Sequence, residues 1–186
     1  MTAIEEAASL VEIVSPFAEQ IIQHILHQGN RNDCAPFTAA TLIHTFTDQR
    51  IDPIALAHEM NRIVWRHGLP RIRRLPNWAT FPWGVVDILQ QYGLSARWQF
   101  LQSLPEMLNR LSTPIIYLPI ILSWRPLWAH ILTLVAYRAG RGFGFANTQL
   151  PYQKIDWIAE DRFLKLWQAS LRCTVIVTPT ITHSTT

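Results

Sequence analysis

The chain has 186 residues, 49% of them hydrophobic and 16% charged, with a formal net charge of +3. That balance excludes a disordered chain and predicts one packed domain over 1–186, with its core in about 17–177 and a polar tail at 178–186. The two cysteines, Cys34 and Cys173, are too few and too far apart for a disulfide framework, and they suit a reducing compartment.

The N-terminus, Met1-Thr-Ala-Ile-Glu-Glu-Ala-Ala, is acidic and lacks the basic segment and apolar core of a signal peptide. The most apolar run, Pro114 to Leu122, is too short to cross a bilayer, and Arg125 interrupts its continuation. The expectation is a soluble, cytoplasmic protein with no membrane partner. Basic residues gather between Arg62 and Arg74 (Arg62, Arg66, His67, Arg71, Arg73, Arg74). No nucleic-acid motif accompanies them, so the run reads as a solvated loop and nucleic acid is not an expected partner. Eight tryptophans are many for this length, and some are expected to line a surface or groove.

Residues 4–27 read as an amphipathic helical region broken near Ser15-Pro16, with Phe17, Ile21, Ile22, Ile25 and Leu26 at helical spacing. Gly29-Asn30 ends it. His24 and His27 lie three apart, as metal ligands do, but no third ligand stands near and no metal is expected. Asn32 or Asp33 is a candidate N-cap for a helix with Ala39, Leu42, Ile43 and Phe46 as its buried stripe and Pro36 in its first turn. Asp52-Pro53 opens another helix, carrying Ile54, Leu56, Ala57, Met60, Ile63 and Val64. The stretch from Gly68 to Pro82 reads as a long irregular connection, and Pro82 to Tyr92 as a short helix closed by Gly93.

Beyond Gly93 the pattern changes. Leu94 to Phe100 reads as a strand, Leu104 to Leu111 as a helix opened by Pro105, and Pro114–Leu122, Trp128–Tyr137 and Phe143–Asn147 as β-rich runs. Arg138 to Gly142 is the turn between the last two. Ile155 to Ala169 reads as helix and Cys173 to Val177 as a final strand. Helices first and an antiparallel sheet after them make the class α+β.

Cys34 falls at the mouth of a predicted helix, where the partial positive charge of the N-terminus stabilises a thiolate. The other reading is a buried structural cysteine, and Cys173, inside the final apolar run, is expected to be one. A nucleophilic thiol needs a base and a group that orients the base. His44 lies about three helical turns beyond Cys34, out of reach of its thiol. His130 sits in an otherwise apolar strand, where it needs a partner, and the hairpin brings Asn147 back to its level.

Gln28, Cys34, His130 and Asn147 together resemble the arrangement of the papain-like cysteine peptidases, in which a helix-borne Cys meets a sheet-borne His and Asn or Asp. The likeness is greatest to the compact branch, the bacteriocin-type double-glycine leader peptidases and their stand-alone relatives. The papain branch places its His and Asn about 130–150 residues beyond the Cys, whereas His130 lies 96 and Asn147 113 residues beyond Cys34. The Cys-Gly-Ser-Cys-Trp signature of that branch is absent. Two departures stand out. Ala35-Pro36 follows the nucleophile where glycine is common, and Asn147 replaces the aspartate usual in the compact branch. The resemblance implies a papain-like fold and thioester chemistry on a peptide or small amide substrate without cofactor. Cys34 would be the nucleophile, His130 the base, Asn147 its orienter and Gln28 an oxyanion donor. Trp78, Trp83, Trp124 and Trp128 are candidate groove walls. Acyl transfer on the same residues, an idle peptide-binding relative, and a small-ligand or nucleic-acid binder using the Arg62–Arg74 run are the alternatives.

Overall fold

The computed structural model describes residues 12–66 and 68–179. The chain runs β1 (Glu12–Val14), α1 (Ala18–Gln23), α2 (Cys34–Phe46), α3 (Pro53–Met60), β2 (Val64–Arg66), β3 (Leu69–Arg71), β4 (Arg74–Leu75), β5 (Ala79–Thr80), α4 (Pro82–Gln91) and β6 (Ser95–Gln99). There follow α5 (Leu104–Asn109), β7 (Ile116–Trp124), β8 (Leu127–Ile131), β9 (Thr133–Arg138), β10 (Gly142–Ala146), β11 (Asp156–Ile158), α6 (Glu160–Ala169) and β12 (Thr174–Thr178).

Local chemistry sets several of these boundaries. The Asp52 carboxylate accepts from the backbone N–H groups of Ile54 (3.0 Å) and Ala55 (3.3 Å), with Pro53 in the first turn of α3. Ser103 caps α5 in the same way, accepting from Glu106 N–H. Gly93, at a φ of +87°, closes α4 in a conformation that disfavours any side chain.

The main sheet is antiparallel, in the order β11-β10-β9-β7-β12-β6, with β1 added along β9 and β8 along β7. It is buried on both faces, and strand alternation sorts its residues between two cores. Ile116, Leu118, Val175 and Val177 pack with Leu42, Ile43 and Ile88 of the helices. Tyr117, Ile176, Phe143 and Phe145 pack instead with Met107, Phe163 and Trp167. Cys173 is buried, and burial pushes its thiol pKa up to about 11, as a small core hydrophobe requires. The expected α+β class holds, but the sheet has helices on both sides rather than one.

Other expectations need correction. Of the helix expected over 4–27, residues 4–11 lie outside the described residues, and Glu12–Val14 is a strand paired with Ala136–Arg138. The edge of β9 that β7 leaves free accepts this segment, and Arg138 clasps Glu12 at 2.5 Å. The helix then ends at Gln23 rather than near Gly29, because longer-range partners take the backbone: Leu26 N–H donates to Thr41 Oγ1 (3.2 Å) and Gln28 N–H to Thr148 O (2.8 Å). The connection expected to be irregular over 68–82 carries three short strands: β3 pairs with β2 just before it, and β4 pairs with β5. Val64 therefore belongs to a strand and Ile63 is exposed. Residues 156–158 pair with β10 before α6 begins. Most of the polar tail, from 180 on, lies outside the described residues, as do His67 and His183.

Gly142, at the hairpin between β9 and β10, has a φ of +106°, and a Cβ there would stand 2.2 Å from Ile158 O. Gly142→Ala is expected to destabilise the fold by about 2 kcal/mol, through backbone strain and forced separation of β10 from β11. Urea denaturation checks it. An unchanged midpoint would contradict this reading of the turn.

Candidate active site

The helix that carries Cys34 begins at a buried ion pair. Asp33 occupies the N-cap position but caps nothing; its carboxylate receives the Arg74 guanidinium. Arg74 also donates to Asn61 Oδ1 (3.0 Å), Asn32 O (3.4 Å) and Ala57 O (3.5 Å). The side chain of Asn32 is likewise turned elsewhere, donating to Asn77 O at 3.1 Å. The expected cap is thus replaced by a charge pair, since a buried guanidinium demands a carboxylate more strongly than a helix terminus does.

This also corrects the reading of the basic run as solvated. Arg73 and Arg74 are only 4% and 3% exposed. Arg73 donates to Glu59 O at 2.5 Å, and Arg71 lies 3.5 Å from Asp87. These three cations anchor the segment against the helices.

Cys34 is the first residue of α2 and lines a cavity together with Gln28, Trp78, His130, Ile131 and Gln149. Burial pushes its thiol pKa above the usual 9.0, against hydrogen bonds from the backbone at Ile131 and Ala35 and against the Arg74 charge. The expected stabilisation of a thiolate by the helix terminus is therefore outweighed by desolvation. Pro36 is buried and does not line the cavity, whereas Ala35 does.

His130 comes from β8, opposite Ile121 of β7. Its Nε2 lies 2.9 Å from Asn147 Oδ1, just past the end of β10. The partners of Asn147 fix the amide's orientation. Its Nδ2 donates to Asp156 Oδ2 (2.8 Å), so Oδ1 faces the imidazole, where it also accepts from Gln149 N–H (3.0 Å). An oxygen that only accepts requires the proton on Nε2. The lone pair then sits on Nδ1, which has no hydrogen-bond partner among the described residues. Burial holds the His130 pKa below 6.5, against the hydrogen bond that His130 donates to Asn147 and against the Asp156 charge.

Gln28 is buried at the same cavity. Its Oε1 accepts from Thr148 Oγ1 (2.7 Å), and Nε2 donates one hydrogen to Arg31 O (2.7 Å). An amide nitrogen has two hydrogens, so one is left over. The N–H of Cys34, in the first turn of α2, lacks an intrahelical partner by position.

Gln28, Cys34 and His130 thus share one cavity, and Asn147 stands directly behind His130. Of the four tryptophans expected as walls, Trp78 lines this cavity, and Trp128 lines a second one with His130, Asn147, Asp156 and Arg162. Trp124 is exposed near the tip of the β7–β8 hairpin, and Trp83 stacks on Phe81 (ring centroids 4.5 Å apart) outside both cavities. Asp156, Thr148 and the Asp33–Arg74 pair escaped the sequence reading. Thr148 adjoins Asn147 and could have been suspected; the others had no local signal. His27 Nδ1 stands 3.3 Å from Thr148 O, and no group of three His, Cys, Asp or Glu able to hold a metal occurs among the described residues. No helix among the described residues is long and apolar enough to cross a membrane.

No protein-family model matches the sequence, and no curated protein matches it. Solved structures do match in fold. A Bacillus anthracis protein assigned as a C39-like peptidase superposes with a TM-score of 0.62 at 12% identity, over 82% of this chain and 92% of that one. The peptidase domain of Streptococcus ComA, a bifunctional ABC transporter of a quorum-sensing pathway, gives 0.57 at 15% identity, over 83% and 97%. A double-glycine-motif protease of an AMS/PCAT transporter, solved with its leader peptide, gives 0.54 at 16%, over 84% and 91%. The chain has the papain-like α+β fold of the compact, C39-like peptidases.

Proposed function

We propose that the protein is a cysteine peptidase-like hydrolase that cleaves a peptide or amide bond through Cys34, His130 and Asn147, with Gln28 as oxyanion donor. The observation that carries this reading is the free Nδ1 lone pair of His130 at the cavity that Cys34 lines, its tautomer fixed by Asn147 on the far side of the ring.

At rest, burial favours a neutral thiol and a neutral imidazole. Proton transfer belongs to the attack itself: His130 Nδ1 takes the Cys34 proton as sulfur adds to the carbonyl. The tetrahedral oxyanion is received by the spare Gln28 N–H and the Cys34 backbone N–H. His130 then returns the proton to the leaving amine, and water resolves the thioester. A peptide substrate is supported by the likeness in fold to the AMS/PCAT protease, which was solved with its leader peptide.

Gln28→Ala is expected to lower kcat on the order of 10²–10³ with little change in KM, the usual loss for one oxyanion donor. Fluorogenic peptidyl amides, screened as a pool, provide the assay. An unchanged kcat would remove Gln28 from the mechanism.

The pH profile follows from the two pKa directions. A lowered His130 pKa keeps the base unprotonated through pH 6.5, so the acid limb of kcat/KM should fall below 6.5. The raised thiol pKa puts the alkaline limb above 9.0. An acid limb at or above 6.5 would contradict the buried, neutral base. In the same assay, acid product favours hydrolysis, and capture by added amines favours acyl transfer.

A further inference from the structure

The geometry points to Asp156 as a positioning residue that acts on His130 through the side chain of Asn147, supplying the negative charge that an amide at the third position lacks. This inference rests on the hydrolase reading for its purpose, though its test does not.

A carboxylate next to the imidazole would balance the charge that develops as His130 accepts the thiol proton; a neutral amide balances less of it. Here the carboxylate stands one residue further back. Asp156 Oδ2 accepts from Asn147 Nδ2 at 2.8 Å, and Asn147 Oδ1 faces His130 Nε2 at 2.9 Å, so imidazole, amide and carboxylate form one chain of hydrogen bonds. Hydrogen bonds in series polarise one another, and the negative carboxylate at Nδ2–H pushes the amide's electron density toward Oδ1. It also settles which end of the amide meets the ring, because an acidic oxygen refuses Oδ1 and demands Nδ2.

The fold holds this link from separate elements. Asn147 follows β10, and Asp156 opens β11, where it pairs with Phe145. Cys34 from α2 lines the first cavity together with His130, and Asp156 from β11 and Arg162 from α6 line the second cavity, also with His130. Asp156 is the acidic group of this set. The hydrolase reading uses Asp156 only as the acceptor that orients Asn147 and gives its charge no role.

The test reads the imidazole directly. In a Cys34→Ala background, which removes the coupled thiol, the His130 ring nitrogens are followed by NMR through a pH titration. Asp156→Asn keeps an acceptor for Asn147 and removes only charge. It should lower the His130 pKa by about one unit, a tenfold loss of proton affinity. Asp156→Glu should restore most of it. In an added Asn147→Ala background the effect of Asp156→Asn should shrink to a small fraction. Should Asp156→Asn not fold, Asp156→Ser replaces it at this half-buried site. An unchanged His130 pKa overturns the inference, as does an effect that persists in full without Asn147, which would make Asn147 no relay. If His130 shifts as expected while Cys34 shows no enhanced reactivity in the wild-type chain, the inference stands and the hydrolase reading falls.

Discussion

His130→Ala is expected to reduce turnover of a peptidyl amide on the order of 10²–10⁴-fold, the contribution of a positioned general base. The reasoning runs through the raised thiol pKa. Burial keeps Cys34 protonated at neutral pH, and without Nδ1 nothing among the described cavity residues takes its proton. Asn147→Ala should act in the same direction but less strongly, because the ring survives and loses only its fixed tautomer. Both variants should keep the far-UV circular dichroism of the wild type. A His130→Ala protein with near wild-type turnover would show that the cavity does not use this imidazole.

Arg74→Met is expected to cost about 3–5 kcal/mol, the largest stability loss among the changes considered, because it leaves the Asp33 carboxylate buried without its cation. Arg74 also donates to three further oxygens, so its loss frees the start of α2, the neighbouring loop and the end of α3 at once. Pairing the change with Asp33→Asn removes the orphaned charge and should recover much of the loss. Urea denaturation of both single variants and the double variant gives the coupling. A loss below about 1 kcal/mol for Arg74→Met would place the pair among weak surface ion pairs, contrary to its burial.

These expectations mark where sequence reasoning reached and where it stopped. The class and most helices and strands were legible because their periodicity is local: Asp52-Pro53 opens α3, Gly93 closes α4, and the glycine-bearing turn after Arg138 makes the hairpin. The candidate site was legible for another reason. A lone histidine in an apolar run requires a partner, and Asn147 was the partner within reach. The single strand expected over 128–137 is nevertheless two, with His130 on β8 and the hairpin to Asn147 made by β9 and β10. What stayed hidden depends on partners far along the chain. Glu12–Val14 is a strand only because β9, about 120 residues later, leaves an edge open. Asp33 looks like a cap until Arg74, 41 residues away, claims it. Arg73 and Arg74 look like solvated charge because a window of sequence carries no record of burial. Asp156 sits in a segment whose pattern reads as helix, and its meaning comes from Asn147 alone.

The most direct measurement is the rate of iodoacetamide labelling at Cys34 and Cys173, resolved by peptide mapping at neutral pH in the wild type and in His130→Ala. An activated Cys34 labels much faster than Cys173, and in the His130→Ala protein that advantage is largely lost. Equal, slow labelling of the two cysteines, or a Cys34 rate indifferent to His130, would contradict a nucleophile served by that base.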